Sequence, residues 1–128
     1  MSNITITENI RIQVDTKYLE EHSNPNSQRW VFAYRVHIQN QSTHTVQLLR
    51  RHWIITDGFG ETEHVRGDGV IGKQPTLRPN EEHQYVSGCP LPTSMGSMKG
   101  TYQMQDENGR IFDVKISEFL LVTPDSFQ

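Results

Sequence analysis

A chain of 128 residues is sized for one domain, and its net charge of −3 argues against nucleic-acid binding through a broad basic face. Its one cysteine, Cys89, excludes an intramolecular disulfide, and the opening MSNITITENI has no apolar signal core. No segment approaches the ~20 apolar residues of a membrane-spanning helix, so the expectation is a reducing cytoplasm, no membrane insertion, and no channel or transporter activity of its own.

The pattern along the chain has a period of two. Ile4, Ile6, Ile10, Ile12 and Val14 are all even-numbered, with polar residues between them. That predicts one long half-buried strand, bent near Glu8. Tyr18 to Gln28 reads as a polar loop with Asn24-Pro25-Asn26 as its turn. In the strand from Arg29 to Asn40, Trp30, Phe32, Tyr34, Val36 and Ile38 share a face. Val46 to Thr56 changes phase: Val46 and Leu48 fall on one side, Leu49, Trp53 and Ile55 on the other. A bulge produces such a switch, and Trp53 is expected to face inward.

Asp57-Gly58-Phe59-Gly60 has hairpin-turn chemistry and Glu61 to Arg66 is a weak return strand. Gly67 to Pro79 reads as a long loop, Glu82 to Ser87 as a short strand, and Gly88 to Gly96 as another loop. Met98, Tyr102 and Met104 mark the next strand. Asn108-Gly109 marks a hairpin turn, and Phe112, Val114 and Ile116 lead a final strand ending near Val122. The tail PDSFQ is expected to fray. No helix of useful length is evident. The expectation is an all-β, antiparallel sandwich of about seven to eight strands, one domain over 1–128 with its ordered core over about 3–122. With no disulfide framework, packing must hold it, and Trp30, Trp53 and Tyr34 are the candidates.

One stretch spells phosphate-binding patterns. Gly67-x-Gly69-x-x-Gly72 matches the dinucleotide fingerprint, and Gly67-x-x-x-x-Gly72-Lys73 most of a P-loop. Both motifs need a helix launched from the glycine turn, because the unpartnered N–H groups at its start hold the phosphates. Pro75 and Pro79 deny such a helix, and Gln74 stands where a P-loop needs Ser or Thr for Mg²⁺. The bland reading is a compact loop crossing the end of the sandwich. A weaker functional reading keeps Gly67, Gly69, Gly72 and Lys73 as a backbone nest for an anion such as pyrophosphate, with Arg66 and Arg78 nearby.

Other chemistry has less support. The six histidines, His22, His37, His44, His52, His64 and His83, form no H-x-x-x-H pair. His37 and His52 are expected to point outward or pack beside aromatics. Ser87-Gly88-Cys89 resembles neither a nucleophile elbow nor a thiol-protease signature. Arg50, Arg51 and His52 form a small basic patch.

Several stretches together resemble the ApaG family. They are Leu49-x-Arg51-His52-Trp53-Ile54-Ile55-Thr56-Asp57, Val65-x-Gly67-x-Gly69-Val70-Ile71-Gly72-x-Gln74-Pro75, Tyr85-x-Ser87-Gly88-Cys89-Pro90-Leu91 and Gly96-Ser97-Met98-x-Gly100-x-Tyr102-x-Met104. Phe112-Asp113-Val114-x-Ile116 and Phe119-x-Leu121 extend the match over nearly the whole chain. The resemblance implies an Ig-like or fibronectin type III-like sandwich and an association with cobalt resistance and magnesium efflux. Its relatives in eukaryotic F-box proteins and in a polymerase-interacting protein imply protein–protein interaction. The family's glycine pattern has also been taken as a pyrophosphate site. The family's usual Pro-Gly is Pro79-Asn80 here, and Asn also tolerates the left-handed backbone.

The expected function is therefore a non-enzymatic binding module that uses no cofactor and reaches metal efflux only indirectly through a protein partner. The alternatives are binding, or hydrolysis, of a nucleotide or pyrophosphate, a phosphate-bearing small molecule, at the glycine loop, and direct binding of a divalent metal.

Overall fold

The computed structural model describes residues 2–127, with side chains over 3–125. Among the described residues nine strands form two antiparallel sheets. The first sheet has the order β1 (Ser2–Thr7), β2 (Ile10–Tyr18), β3 (Trp30–Asn40) and then β7 (Glu82–Leu91). The second runs β5 (Thr62–Asp68), β4 (Val46–Asp57), β8 (Met95–Asp106), β9 (Ile111–Val122), with the short β6 (Thr76–Leu77) also paired to β4. No α-helix occurs among the described residues; single 3-10 turns occupy Glu20–His22, Pro25–Ser27 and Pro124–Phe127. The tail expected to fray thus forms a turn, and its Gln128 lies outside the described residues.

The inner face of β3 follows the predicted alternation, whereas Ile4 and Ile6 of β1, expected on the buried face with Ile10, are exposed. Phe32, Tyr34, Val36 and Ile38 are buried, and Trp30 is half-buried at the rim. The phase switch in β4 is a bulge between Leu48 and Arg50, which turns both Leu48 and Trp53 inward. Trp53 packs edge-on against Tyr34, Phe119 and Tyr102 at centroid separations of 5.4, 5.9 and 6.2 Å. Such T-shaped pairs place positive ring edges against negative faces. Of these, the Trp53–Tyr34 pair joins the two sheets where a disulfide is missing.

Three sequence readings need correction. Ser2–Tyr18 is a hairpin, not one bent strand. Glu8 and Asn9 both adopt positive φ (48° and 64°), and Thr7 pairs with Ile10. The second correction concerns β7, which continues to Leu91 through Gly88 and Pro90, both expected in a loop. Proline is tolerated there because β7 is an edge strand, whose outward N–H groups have no ladder partner. The third is within the expected Gly67–Pro79 loop, which begins as the end of β5 and contains β6, and whose Val70 and Leu77 are buried. Asn80 does adopt positive φ, 72°, as its tolerance for that region allows.

The two open sides of the sandwich differ. Where β1 approaches β9, side chains close the seam. Thr5 Oγ1 lies 2.6 Å from Ser117 Oγ and accepts from Ser117 N at 3.1 Å, and Asn3 Nδ2 donates to Ser117 O at 2.8 Å. On the opposite side the free edges of β5 and β7 flank a cleft, described next.

Candidate functional site

The bulge in β4 determines what lies at the bottom of this cleft. Because Trp53 points inward, so does Arg51, two residues before it. An inward-pointing guanidinium must find acceptors or water, since burying it unpaired is costly. Arg51 Nη1 donates to the carbonyls of Asp68 and Gly69, each at 3.0 Å. Gly67 makes this seat possible: a Cβ there would meet the guanidinium at 2.8–2.9 Å. No carboxylate pairs with Arg51 among the described residues. The Asp68 carboxylate lies 3.6 Å from Arg50, its own partner.

Around Arg51 is a cavity of about 300 Å³, walled by Tyr34, Trp53, Tyr85 and Ser87 on one side and Gly67 and Ile71 on the other. The walls carry three hydroxyl groups. Burial pushes the phenols of Tyr34 and Tyr85 up from their ordinary values, with neighbouring Ser87 offsetting part of the effect at Tyr34. Tyr85 also hydrogen-bonds Tyr102, whose phenol burial raises well above its usual range. All three tyrosines therefore stay neutral donors around neutral pH, beside a fixed positive charge. A second concavity of about 230 Å³ continues the cleft between Glu63 on β5 and Pro90 on β7.

The predicted glycine loop forms one lip of this cleft. Ile71 and Gly72, at φ 48° and 71°, make a two-residue turn closed by Val70 N to Lys73 O (2.8 Å) and Lys73 N to Val70 O (3.0 Å). A Cβ on Gly69 would stand 2.2 Å from Lys73 O, at φ 61°. The three glycines thus have separate structural reasons: a seat for Arg51, a close backbone approach and a tight turn. Gly69 N donates to Leu49 O, so the N–H groups of residues 69, 70 and 73 are all used within the fold. No helix follows Lys73; the chain enters β6. Lys73 and Arg78 are exposed, and Arg66 lies with Arg50 and His52 around an adjoining concavity that shares Arg51, Gly67 and Asp68 with the cavity around Arg51.

The histidines pair off rather than gather. His52 stacks on His64 at 5.1 Å, with ring nitrogens 2.9 Å apart. His44 meets Glu107 at 2.8 Å, and His37 lies 3.2 Å from Glu82. Partial burial, then the charge of Arg66, lowers the His52 pKa. Among the described residues no three His, Cys, Asp or Glu side chains gather into a group that could hold a metal. Cys89 is buried, and its thiol is pushed up to about 11 by that burial.

Sequence reasoning identified the lip of the cleft and missed its floor. Arg51 counted only as part of an exposed basic patch. The inward phase of Trp53 was the available signal, since residues two apart on a strand share a face.

A family model described as the ApaG domain matches residues 20–106. The chain belongs to the ApaG domain family. The "Protein ApaG" of Paramagnetospirillum magneticum is 50% identical over 118 residues, which cover 92% of this chain and 91% of that one. That of Vibrio cholerae is 51% identical over 115 residues, 90% and 91% of the two chains. A crystal structure described as a Bordetella pertussis ApaA protein superposes with a TM-score of 0.87 at 48% identity, covering 97% and 98%. The C-terminal domain of wzt, at 9% identity and a TM-score of 0.55, covers 95% of this chain and 78% of that one and shares the fold alone. The ApaG domain here is thus an Ig-like sandwich in which no described helix is long and apolar enough to cross a membrane.

Proposed function

We propose that this ApaG domain is a non-enzymatic recognition module that takes an extended segment of a protein partner along the free edge of β7. The state of that edge carries the reading. Edge strands usually protect themselves with charges, prolines or bulges. β5 follows that rule with Glu63 and Arg66. β7 has Glu82 and Pro90 at its ends, but Gln84-Tyr85-Val86-Ser87-Gly88 between them carries neither charge nor proline. In an antiparallel ladder alternate residues face the partner strand. Glu81 O accepts from Asn40 N, so the odd-numbered residues of β7 face β3. Gln84, Val86 and Gly88 therefore present their N–H and C=O groups to the open side, in the same phase as Pro90. An added strand would complete this ladder by β-augmentation.

Peptides selected from a random library against the purified chain test this. Their amide shift perturbations are expected over Gln84 to Gly88 and along the cleft lip. Val86→Pro removes one outward N–H without touching the β3 ladder and should abolish their binding. Peptides that map to another face, or bind Val86→Pro unchanged, would refute the reading. Shortening the glycine loop is a poor control, because Val70 and Leu77 belong to the core.

A further inference from the structure

We propose that Arg51 is a receptor for one carboxylate, an Asp or Glu side chain of the segment that docks beside β7. This rests on the reading of the β5–β7 side as the docking surface and adds the chemistry that side selects. The fold places a fixed positive charge in a cavity that Asp68 also lines, but the Asp68 carboxylate lies 3.6 Å from Arg50, and no ion pair to Arg51 occurs among the described residues. The Nη1 hydrogens are both committed, one to Asp68 O and one to Gly69 O. The donors on Nε and Nη2 remain, and a guanidinium offers that pair as a planar fork matched to a carboxylate. The hydroxyls of Ser87 and Tyr85 line the same space.

Charge decides between a carboxylate and a phosphate. Arg51 is the only cation lining the cavity among the described residues. Arg50 and Arg66 line the adjoining concavity, which shares Arg51, Gly67 and Asp68 with this one, and neither lines the cavity itself; Lys73 is exposed. One guanidinium balances one carboxylate, whereas a phosphate ester or pyrophosphate brings a larger negative charge and would need further cations. The internal use of the N–H groups of residues 69, 70 and 73 points the same way. Position fits too, because Tyr85 and Ser87 on β7 line the cavity. A strand added to that edge would carry side chains on the same side, into the cleft.

The test uses Trp53, which lines the cavity, as a fluorescence reporter in a Trp30→Phe background. N-acetyl-glutamic acid methylamide is titrated, with the matching glutamine compound and pyrophosphate as comparisons at constant ionic strength. The expected result is a saturable response to the glutamate compound in the millimolar range and none to the glutamine compound. Arg51→Gln should weaken binding roughly tenfold or more, the usual loss when a charge-assisted hydrogen bond is removed. Arg66→Gln should leave it unchanged. Because Arg51→Gln also frees the Asp68 and Gly69 carbonyls and could fail to fold, Ser87→Leu provides a second route: it fills the cavity, keeps Arg51 and should also abolish the response. No saturable response to the glutamate compound, an equal response in Arg51→Gln or Ser87→Leu, or saturation by pyrophosphate alone would overturn the assignment. Val86→Pro should bind the small carboxylate normally. Loss of edge docking and loss of the Arg51 site are therefore separate results.

Discussion

Ile71 holds a β-branched side chain at φ 48° while 60% exposed, so little packing offsets its strain. A non-glycine residue in the left-handed region costs roughly 1–2 kcal/mol, and a branched Cβ stands at the upper end. Ile71→Asn relieves this in a two-residue turn that favours Asn-Gly. It should raise stability by about 1 kcal/mol, visible as a Tm higher by a few degrees in thermal melts. Gly69→Ala should act oppositely, losing about 2 kcal/mol or more, because its methyl would collide with Lys73 O. An unchanged or lower Tm for Ile71→Asn would show that Ile71 is held by contacts rather than strained. The strained residue forms the lip of the cleft, and retained strain of this kind clusters at binding sites. At this scale the glycine pattern was legible as a special loop. Its meaning was not, because the atoms that explain Gly67 and Gly69 belong to Arg51 and Lys73 and become neighbours only after folding.

Between elements, the β1–β2 hairpin shows what periodicity cannot report. A continuous strand would put Ile4, Ile6 and Ile10 on one face. A two-residue turn reverses the parity, so Ile6 lies beside Arg11 on the outer face and Ile10 is buried. The sequence kept its even-numbered rhythm through the turn, and Glu8-Asn9 lacks the glycine that usually marks one. The β4 bulge was legible because it broke the rhythm. A long-range tie also operates at this scale: His44, after β3, meets Glu107, after β8, at 2.8 Å. The hydrogen bond to Glu107 raises the His44 pKa above its ordinary 6.5, and the bond to His44 holds Glu107 below its ordinary 4.5. The raised group stabilises the fold fully below pH 6.5 and loses that effect as pH rises through its folded pKa. The lowered group does so above pH 4.5 and loses it as pH falls through its own. Glu107→Gln should therefore return the His44 titration, followed by NMR, towards 6.5. The stability difference between wild type and variant should be largest between those two values and shrink on both sides. A His44 pKa insensitive to Glu107→Gln would dismiss the pair.

For the whole molecule, the asymmetry of its two sides matters most. Threonine and serine hydroxyls join β1 to β9, while β5 and β7 stand apart over Tyr34 and Trp53. Which edges become neighbours is a property of topology, set by strand order rather than by any local pattern. The sandwich was therefore legible from the sequence, and the cleft was not. Cys89 allows the firmness of the open side to be measured. It sits on β7 opposite Phe32, facing the core. Burial pushes its thiol up to about 11 from an ordinary 9.0, with the charge of Glu63 across the cleft adding to the effect. Two pH units mean roughly a hundredfold less thiolate at pH 8 than in a free thiol, and the thiolate is the reactive form. Alkylation by iodoacetamide at pH 8 should accordingly be slower than in the urea-unfolded chain by about two orders of magnitude or more, since enclosure adds to the pKa effect. If a segment docks along β7, saturating peptide should slow it further, because the strand must detach before Sγ meets solvent. Native labelling as fast as unfolded labelling would mean that β7 is not held on β3 in solution, and the docking edge would go with it.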